Sequence, residues 1–205
     1  MTGRSVAERL DPHRACLIVV DMQNDFCDPN GAIHQAYGLD VSASARILPR
    51  LCALIDAAHH AAVPVIFTRM VNTASTESDA FRGRRLVEGG TPVCRTGSWG
   101  AALWQLEPGA NDIVLDKHRH SAFHATDLDL RLRSLGRESV VLTGVNTNVC
   151  VEASARDACA LDYWTIGVAD ATGAYTPAEH DSGLHNIGTY LGIVVDAQQV
   201  LEAWR

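Results

Sequence analysis

The feature that most constrains the fold is a regular alternation of short apolar runs with longer segments of helical spacing. Six runs rich in valine, isoleucine and leucine occur at 16–21, 63–68, 112–116, 139–144, 163–170 and 192–196. Each run is almost continuously apolar, which is typical of parallel strands that are buried on both faces of a sheet.

The segments between these runs are rich in alanine and leucine at helical spacing. They lie at 42–61, 126–136, 148–162 and 177–191. Strands that alternate with helices predict an α/β fold with three layers, in which a six-stranded, mostly parallel sheet lies between helices on both faces. A chain of 205 residues favours one domain, which we place at 1–205.

Residues 72–98 interrupt the alternation. They contain no strand pattern, and glycine and proline are scattered through them. An insertion of this length inside a compact domain is more often a lid over a site or a contact between subunits than an unstructured connection. The sequence leaves both interpretations open.

Charge and cysteine content exclude several classes of partner. The net charge is −7 and no basic cluster is dense enough to follow a phosphate backbone, so nucleic acid is not expected as a partner. The first residues are polar and no long apolar run occurs, so neither a secretory signal nor a membrane partner is expected.

The cysteines form no C-x-x-C pair, which favours free thiols and a cytoplasmic location. They are Cys16, Cys27, Cys52, Cys94, Cys150 and Cys159.

Three chemically useful side chains follow three of the predicted strands. Asp21 ends the first strand, Lys117 follows the third, and Cys150 lies shortly after the fourth, at the start of a helical segment. Because the carboxyl ends of parallel strands meet at one edge of a sheet, where ligands bind, we expect the three to lie close together. Gln23, Asn24 and Asp25 are expected to order the loop behind Asp21 rather than to touch a substrate.

Each of the three also has a purely structural interpretation. A cysteine is usually a small buried apolar residue, an aspartate at the end of a strand often caps a turn, and a lysine there is usually solvated. Cys150 differs because the dipole and free N–H groups of a helix start favour a thiolate. We therefore expect a lowered Cys150 pKa and alkylation of Cys150 ahead of the other thiols.

Together the three residues predict nucleophilic catalysis. Asp21 would remove the thiol proton, the Cys150 thiolate would attack a carbonyl carbon, and Lys117 would hold the Asp21 carboxylate. Backbone N–H groups at the helix start, including that of Cys150, would bind the developing oxyanion. The scheme needs no histidine.

The segments VVDMQNDF, DIVLDKHRHSAF and LTGVNTNVCVEASARDA carry these residues, and with them the chain resembles the isochorismatase-like cysteine hydrolases from about Cys16 to Asp196. The resemblance implies a catalytic triad of Asp21, Lys117 and Cys150 and a sheet of order 3-2-1-4-5-6. It also implies a homo-oligomer and a cis peptide at Val145–Asn146. That peptide would aim the Asn146 N–H at the oxyanion beside the Cys150 N–H.

The resemblance also bears on cofactors and substrate. Nicotinamidases bind a metal through residues after the second strand, where this chain has TRMVNTAS without a histidine, so no metal or other cofactor is expected. His118, His120 and His124 straddle a loop and are not expected to bind zinc. The segments GSWG and HSAFHATDLDLRLRSLG resemble the branch of the family that hydrolyses small linear amides and ureido compounds more than they resemble the true isochorismatases. The alternatives are an ether or ester hydrolase of isochorismatase type and an oligomeric binding protein without activity.

Five residues are candidates for the substrate pocket. Three of them have a structural alternative, which is core packing for Phe26, an ion pair for Arg69 and a subunit contact for Trp99. Asn146 departs from the family pattern, and Tyr175 is the weakest candidate. The candidates are Phe26, Arg69, Trp99, Asn146 and Tyr175.

Overall fold

A six-stranded sheet forms the centre of the protein in a computed structural model that describes residues 4–83 and 92–205. The strand order is β3-β2-β1-β4-β5-β6 and every neighbouring pair is parallel. The predicted sheet order and α/β class are therefore confirmed. The strands are β1 (Ala15–Val20), β2 (Val65–Met70), β3 (Ile113–Lys117), β4 (Ser139–Val145), β5 (Trp164–Gly173) and β6 (Ile193–Val195).

Helices cover both faces of the sheet. The longest is α4, which follows the predicted segment at 42–61 closely. The α-helices are α1 (Val6–Arg9), α2 (Asn24–Cys27), α3 (Ala32–Tyr37), α4 (Ser42–His60), α5 (Asp79–Gly83), α6 (Leu128–Ser134), α7 (Glu152–Ala160), α8 (Pro177–Asn186) and α9 (Ala197–Ala203). A 3-10 turn occupies Trp99–Ala101, and π-helical turns occupy Thr147–Val151 and Ile187–Leu191.

Side chains of β1 alternate between two apolar cores. Leu17 and Val19 pack with α4 and α9, through residues such as Leu51. Ile18 and Val20 pack on the other face with α6 and α7, through residues such as Leu128. A strand with apolar neighbours on both faces must be continuously apolar, which explains the pattern of 16–21.

The described parts of the insertion fold back onto the ends of β1 and β2. The side-chain amide of Asn72 donates a hydrogen bond to the Val93 carbonyl oxygen at 2.8 Å, and the Asn72 backbone forms a β-bridge with Arg95. The insertion contains α5 and leads into the 3-10 turn. Part of the predicted insertion, 84–91, lies outside the described residues.

In the part of the chain that the structure describes, every helix is too short or too polar to cross a lipid bilayer.

Candidate active site

Asp21 lies directly after β1 in a left-handed backbone conformation, with φ of 48°. Its side chain is fully buried. The Thr68 hydroxyl, at the end of the neighbouring β2, donates to Asp21 Oδ1 at 2.7 Å. The turn after the strand and the Thr68 hydroxyl together fix the direction of the carboxylate.

Lys117 ends β3 and is also fully buried. Its Nζ lies 2.6 Å from Asp21 Oδ2 and donates to the carbonyl oxygens of Arg119 and His120 at 3.0 and 2.9 Å. Burial lowers the pKa of the Lys117 ammonium, but the Asp21 carboxylate and the hydrogen bonds to Asp21 and Cys150 outweigh it and raise that pKa. The ammonium form is therefore favoured although the side chain is buried.

Cys150 lies in the π-helical turn between β4 and α7. The Val145–Asn146 peptide is cis, and the Asn146 carbonyl accepts hydrogen bonds from the N–H groups of Val149 and Val151 at 3.0 and 3.1 Å. Gly144 precedes this turn with φ of 93°, and a Cβ there would lie 2.1 Å from the Val20 carbonyl oxygen. Only glycine lets β4 approach β1 so closely where the chain leaves the sheet.

The backbone of α8 supports the same turn from outside. A Cβ at Gly183 would lie 2.8 Å from backbone atoms of Thr147 and Asn148. The Thr147 hydroxyl and His180 Nδ1 are 2.8 Å apart and link the turn to α8 by a hydrogen bond. The position of Cys150 thus depends on a helix that follows it in the chain.

The expected lowering of the Cys150 pKa is wrong. Burial raises the pKa of the Cys150 thiol to about 12, Lys117 offsets this in part, and the Asp21 charge adds to it. A helix start open to solvent would lower the pKa of a thiol, whereas Cys150 is 5% exposed and lies in the apolar core beside α7. The resting side chain is a thiol, and its activation needs a base in contact with it.

One histidine lies beside the thiol, although the sequence argument required none. His120 Nδ1 is 3.8 Å from Cys150 Sγ, and the Phe81 ring of α5 packs against the imidazole at a centroid distance of 6.4 Å. Lys117 curls the loop after β3 by binding two of its carbonyl groups, which turns His120 towards Cys150. The spacing of three residues after Lys117 carries no signal for this contact.

The side chains of the three histidines in the loop after β3 lie in different environments. His118 Nδ1 lies 2.7 Å from the Val71 carbonyl oxygen, His120 faces Cys150, and His124 is exposed. Within residues 4–83 and 92–205, no group of three His, Cys, Asp or Glu side chains is arranged to hold a metal ion.

The polar residues after Asp21 order the surrounding loops, as the sequence predicted. Gln23 Nε2 donates to the carbonyls of Met70 and Ala101 at 2.9 and 2.8 Å. Asp25 accepts from the backbone N–H of Cys94 at 2.6 Å. These bonds attach the end of the insertion to the turn that carries Asp21.

Two of the pocket candidates lie beside the triad. The Tyr175 side chain interacts with the Asn146 side chain, and its hydroxyl is close enough to Cys150 for their charges to interact. Burial raises the pKa of Tyr175. Phe26 is half-buried and packs against two apolar clusters, so core packing accounts for its position. Substrate contact by these residues stays a prediction.

The other two candidates lie elsewhere. Arg69 pairs with Asp116 at 2.7 Å on the face opposite Lys117, because β2 continues to Met70 and side chains alternate along a strand. The structure does not bring Arg69 to the triad. Trp99 is 55% exposed, and its carbonyl accepts a hydrogen bond from Asn24 at 2.7 Å. Its role as a cap or a subunit contact in the implied homo-oligomer stays a prediction.

Comparison with known proteins gives a consistent family. A family model described as an isochorismatase domain matches residues 15–199. Ureidoacrylate amidohydrolase RutB of Methylobacterium radiotolerans is 39% identical to this chain in an alignment 202 residues long. The alignment covers 91% of this chain and 78% of the relative.

Two solved structures are similar over most of their lengths. A cysteine hydrolase from Pseudomonas syringae pv. phaseolicola matches with a TM-score of 0.85 and 28% identity, covering 100% of this chain and 98% of the other. N-carbamoylsarcosine amidase from Thermoplasma acidophilum matches with a TM-score of 0.73 and 26% identity, covering 90% and 96%.

Proposed function

Because the chain belongs to the isochorismatase family, we propose that it is a cysteine-dependent amidohydrolase that cleaves a C–N bond of a small linear amide or ureido compound. The substrate class is supported by the relatives, which include a ureidoacrylate amidohydrolase and an N-carbamoylsarcosine amidase. The proposed catalytic triad is Asp21, Lys117 and Cys150.

The observation that carries the proposal is a buried ion pair beside a buried thiol. Asp21 and Lys117 are both fully shielded from solvent at 2.6 Å, and both act on the pKa of Cys150. Burying two charges is costly, and a pair that only stabilised the fold is often replaceable by apolar residues. A base and a cation beside a nucleophile favour a catalytic role.

In the first half-reaction, Asp21 accepts the Cys150 proton as Sγ attacks the carbonyl carbon of the substrate. The N–H groups of Asn146 and Cys150 bind the oxyanion of the tetrahedral intermediate. The C–N bond then breaks, and the proton held by Asp21 passes to the leaving ammonia or amine. Lys117 stays protonated and keeps the carboxylate in place.

In the second half-reaction, water attacks the acyl or carbamoyl thioester. Asp21 accepts a proton from this water, and the thiolate leaves and is protonated again. The product is a carboxylic acid, or a carbamate that decomposes to an amine and carbon dioxide. One water is consumed for each C–N bond that the enzyme cleaves, and a carbamate product then releases a second amine or ammonia without further water.

The test is ammonia release from ureido acids, biuret, simple linear amides and nicotinamide by the wild type and by Cys150→Ala. The expected result is release confined to the ureido and linear amide substrates and lost in Cys150→Ala. Cys159→Ala, which changes a half-buried thiol of α7, is the matched control and should keep full activity. Turnover by Cys150→Ala would exclude the mechanism. Hydrolysis without ammonia or amine would favour ether or ester cleavage, and silence towards every class would favour a binding protein.

A further inference from the structure

The hydrogens of the Lys117 ammonium already face three oxygen atoms. Nζ has Asp21 Oδ2 at 2.6 Å and the Arg119 and His120 carbonyl oxygens at 3.0 and 2.9 Å. The Lys117 side chain also reaches the Cys150 sulfur by a hydrogen bond. Its three N–H groups are therefore shared among four acceptors, and a second donor to the thiolate would add to what Lys117 supplies.

We propose that His120 is a further catalytic residue, whose Nδ1–H donates a hydrogen bond to the Cys150 thiolate. This inference rests on the proposed cysteine mechanism and adds a fourth group to it. The thiol proton still passes to Asp21, and His120 keeps its own proton throughout, so no charge or proton is left unbalanced. The neutral imidazole is sufficient, provided that the proton is on Nδ1.

The geometry is consistent with a donor to sulfur. Nδ1 lies 3.8 Å from Sγ, within the longer range of hydrogen bonds to sulfur. Lys117 holds the backbone of His120 through its carbonyl oxygen, and Phe81 packs against the imidazole ring. A donor fixed before the reaction need not reorganise when the negative charge forms.

The surroundings of the sulfur make such a donor important. Cys150 is almost fully buried, and a buried thiolate without hydrogen bonds is strongly disfavoured. Within residues 4–83 and 92–205, the titratable groups that act on it include Asp21 and Lys117 from the ends of β1 and β3, Cys94 from the insertion and Tyr175 from the segment after β5. Beyond the imidazole, the Arg119 guanidinium stacks on Phe81 at 4.7 Å.

The experiment compares His120→Ala with His120→Asn. The asparagine side-chain nitrogen is bonded to Cγ, as Nδ1 is, and can donate a hydrogen bond but cannot act as a base near neutral pH. The first readout is the rate of Cys150 alkylation by iodoacetamide as a function of pH, resolved by peptide mass spectrometry. The second readout is kcat/KM for ammonia release. His124→Ala, an exposed histidine of the same loop, is the control.

We expect His120→Ala to raise the pH at which Cys150 becomes alkylated and to lower kcat/KM by about tenfold to a hundredfold, as expected for a hydrogen bond to a charged group. His120→Asn should restore most of both, and His124→Ala should match the wild type. An unchanged alkylation profile in His120→Ala would overturn the proposal. Loss of kcat/KM in both His120 variants with unchanged alkylation would instead assign His120 as a base.

Two features keep the test interpretable. If His120→Ala fails to fold, the His120→Asn profile still decides, because a donor role requires it to resemble the wild type. Alkylation needs no substrate, so failure of the proposed amidohydrolase function would appear as an inactive wild type. Failure of the His120 proposal would appear in the alkylation profile.

Discussion

Two ion pairs involve adjacent residues at the end of β3, Asp116 and Lys117, and the two pairs differ strongly in their exposure to solvent. Lys117 pairs with Asp21 on one face of the sheet, and both side chains are fully buried. Asp116, the preceding residue, pairs with Arg69 on the other face, where the side chains are 45% and 34% exposed. Both pairs have short contacts, of 2.6 and 2.7 Å. Burial, rather than contact distance, distinguishes the pair proposed to act in catalysis from the surface pair.

The largest expected effect is that of Lys117→Met, which leaves the Asp21 carboxylate buried without its cation. Breaking a buried pair from one side typically costs about 3–5 kcal/mol of unfolding free energy. We expect that loss in urea denaturation, together with loss of ammonia release. Arg69→Met is the matched control, and its cost should stay below about 1 kcal/mol. Equal costs for the two variants would remove the distinction between the pairs.

Asp21→Asn should change activity and thiol reactivity in opposite directions. Loss of the general base should lower kcat/KM by about 10²–10⁴-fold. The Asp21 charge raises the pKa of Cys150, so its removal should lower that pKa from about 12 and speed alkylation at any pH below it. Ammonia release and iodoacetamide alkylation over a pH series measure the two effects.

Asp116→Asn is the matched control for this variant and should leave both measurements near their wild-type values. Slower alkylation of Cys150 in Asp21→Asn than in the wild type would contradict this expectation, because it would mean that Asp21 promotes formation of the thiolate in the resting protein.

The smallest expected effect concerns the surface pair itself. A double-mutant cycle of Arg69→Met and Asp116→Asn should give a coupling energy of about 0.2–1 kcal/mol, because solvent screens the two charges. Urea denaturation at low and high salt measures it, and the coupling should shrink at high salt. A coupling of several kcal/mol would show that exposure does not weaken this pair.

The sequence predicts the sheet and the positions of Asp21 and Lys117 because both depend on where strands end. For Arg69 it leaves a substrate contact and an ion pair open, because β2 runs two residues further than the apolar run and a shift of one residue moves a side chain to the other face. It predicts the wrong direction for the Cys150 pKa because burial depends on packing from α7 and the insertion. The contact of His120 with Cys150 depends on hydrogen bonds from Lys117 to the loop backbone, which no spacing reveals.

The close approach of α8 to the turn that carries Cys150 has a consequence for engineering. Gly183 and the Thr147–Asn148 backbone leave no room for a methyl group between them. Position 183 is therefore closed to larger residues in any library of variants that aims to preserve this turn, although it lies on a different helix from Cys150. A designer who selected positions by their distance from Cys150 in the sequence would randomise it, and larger residues there would push against the turn.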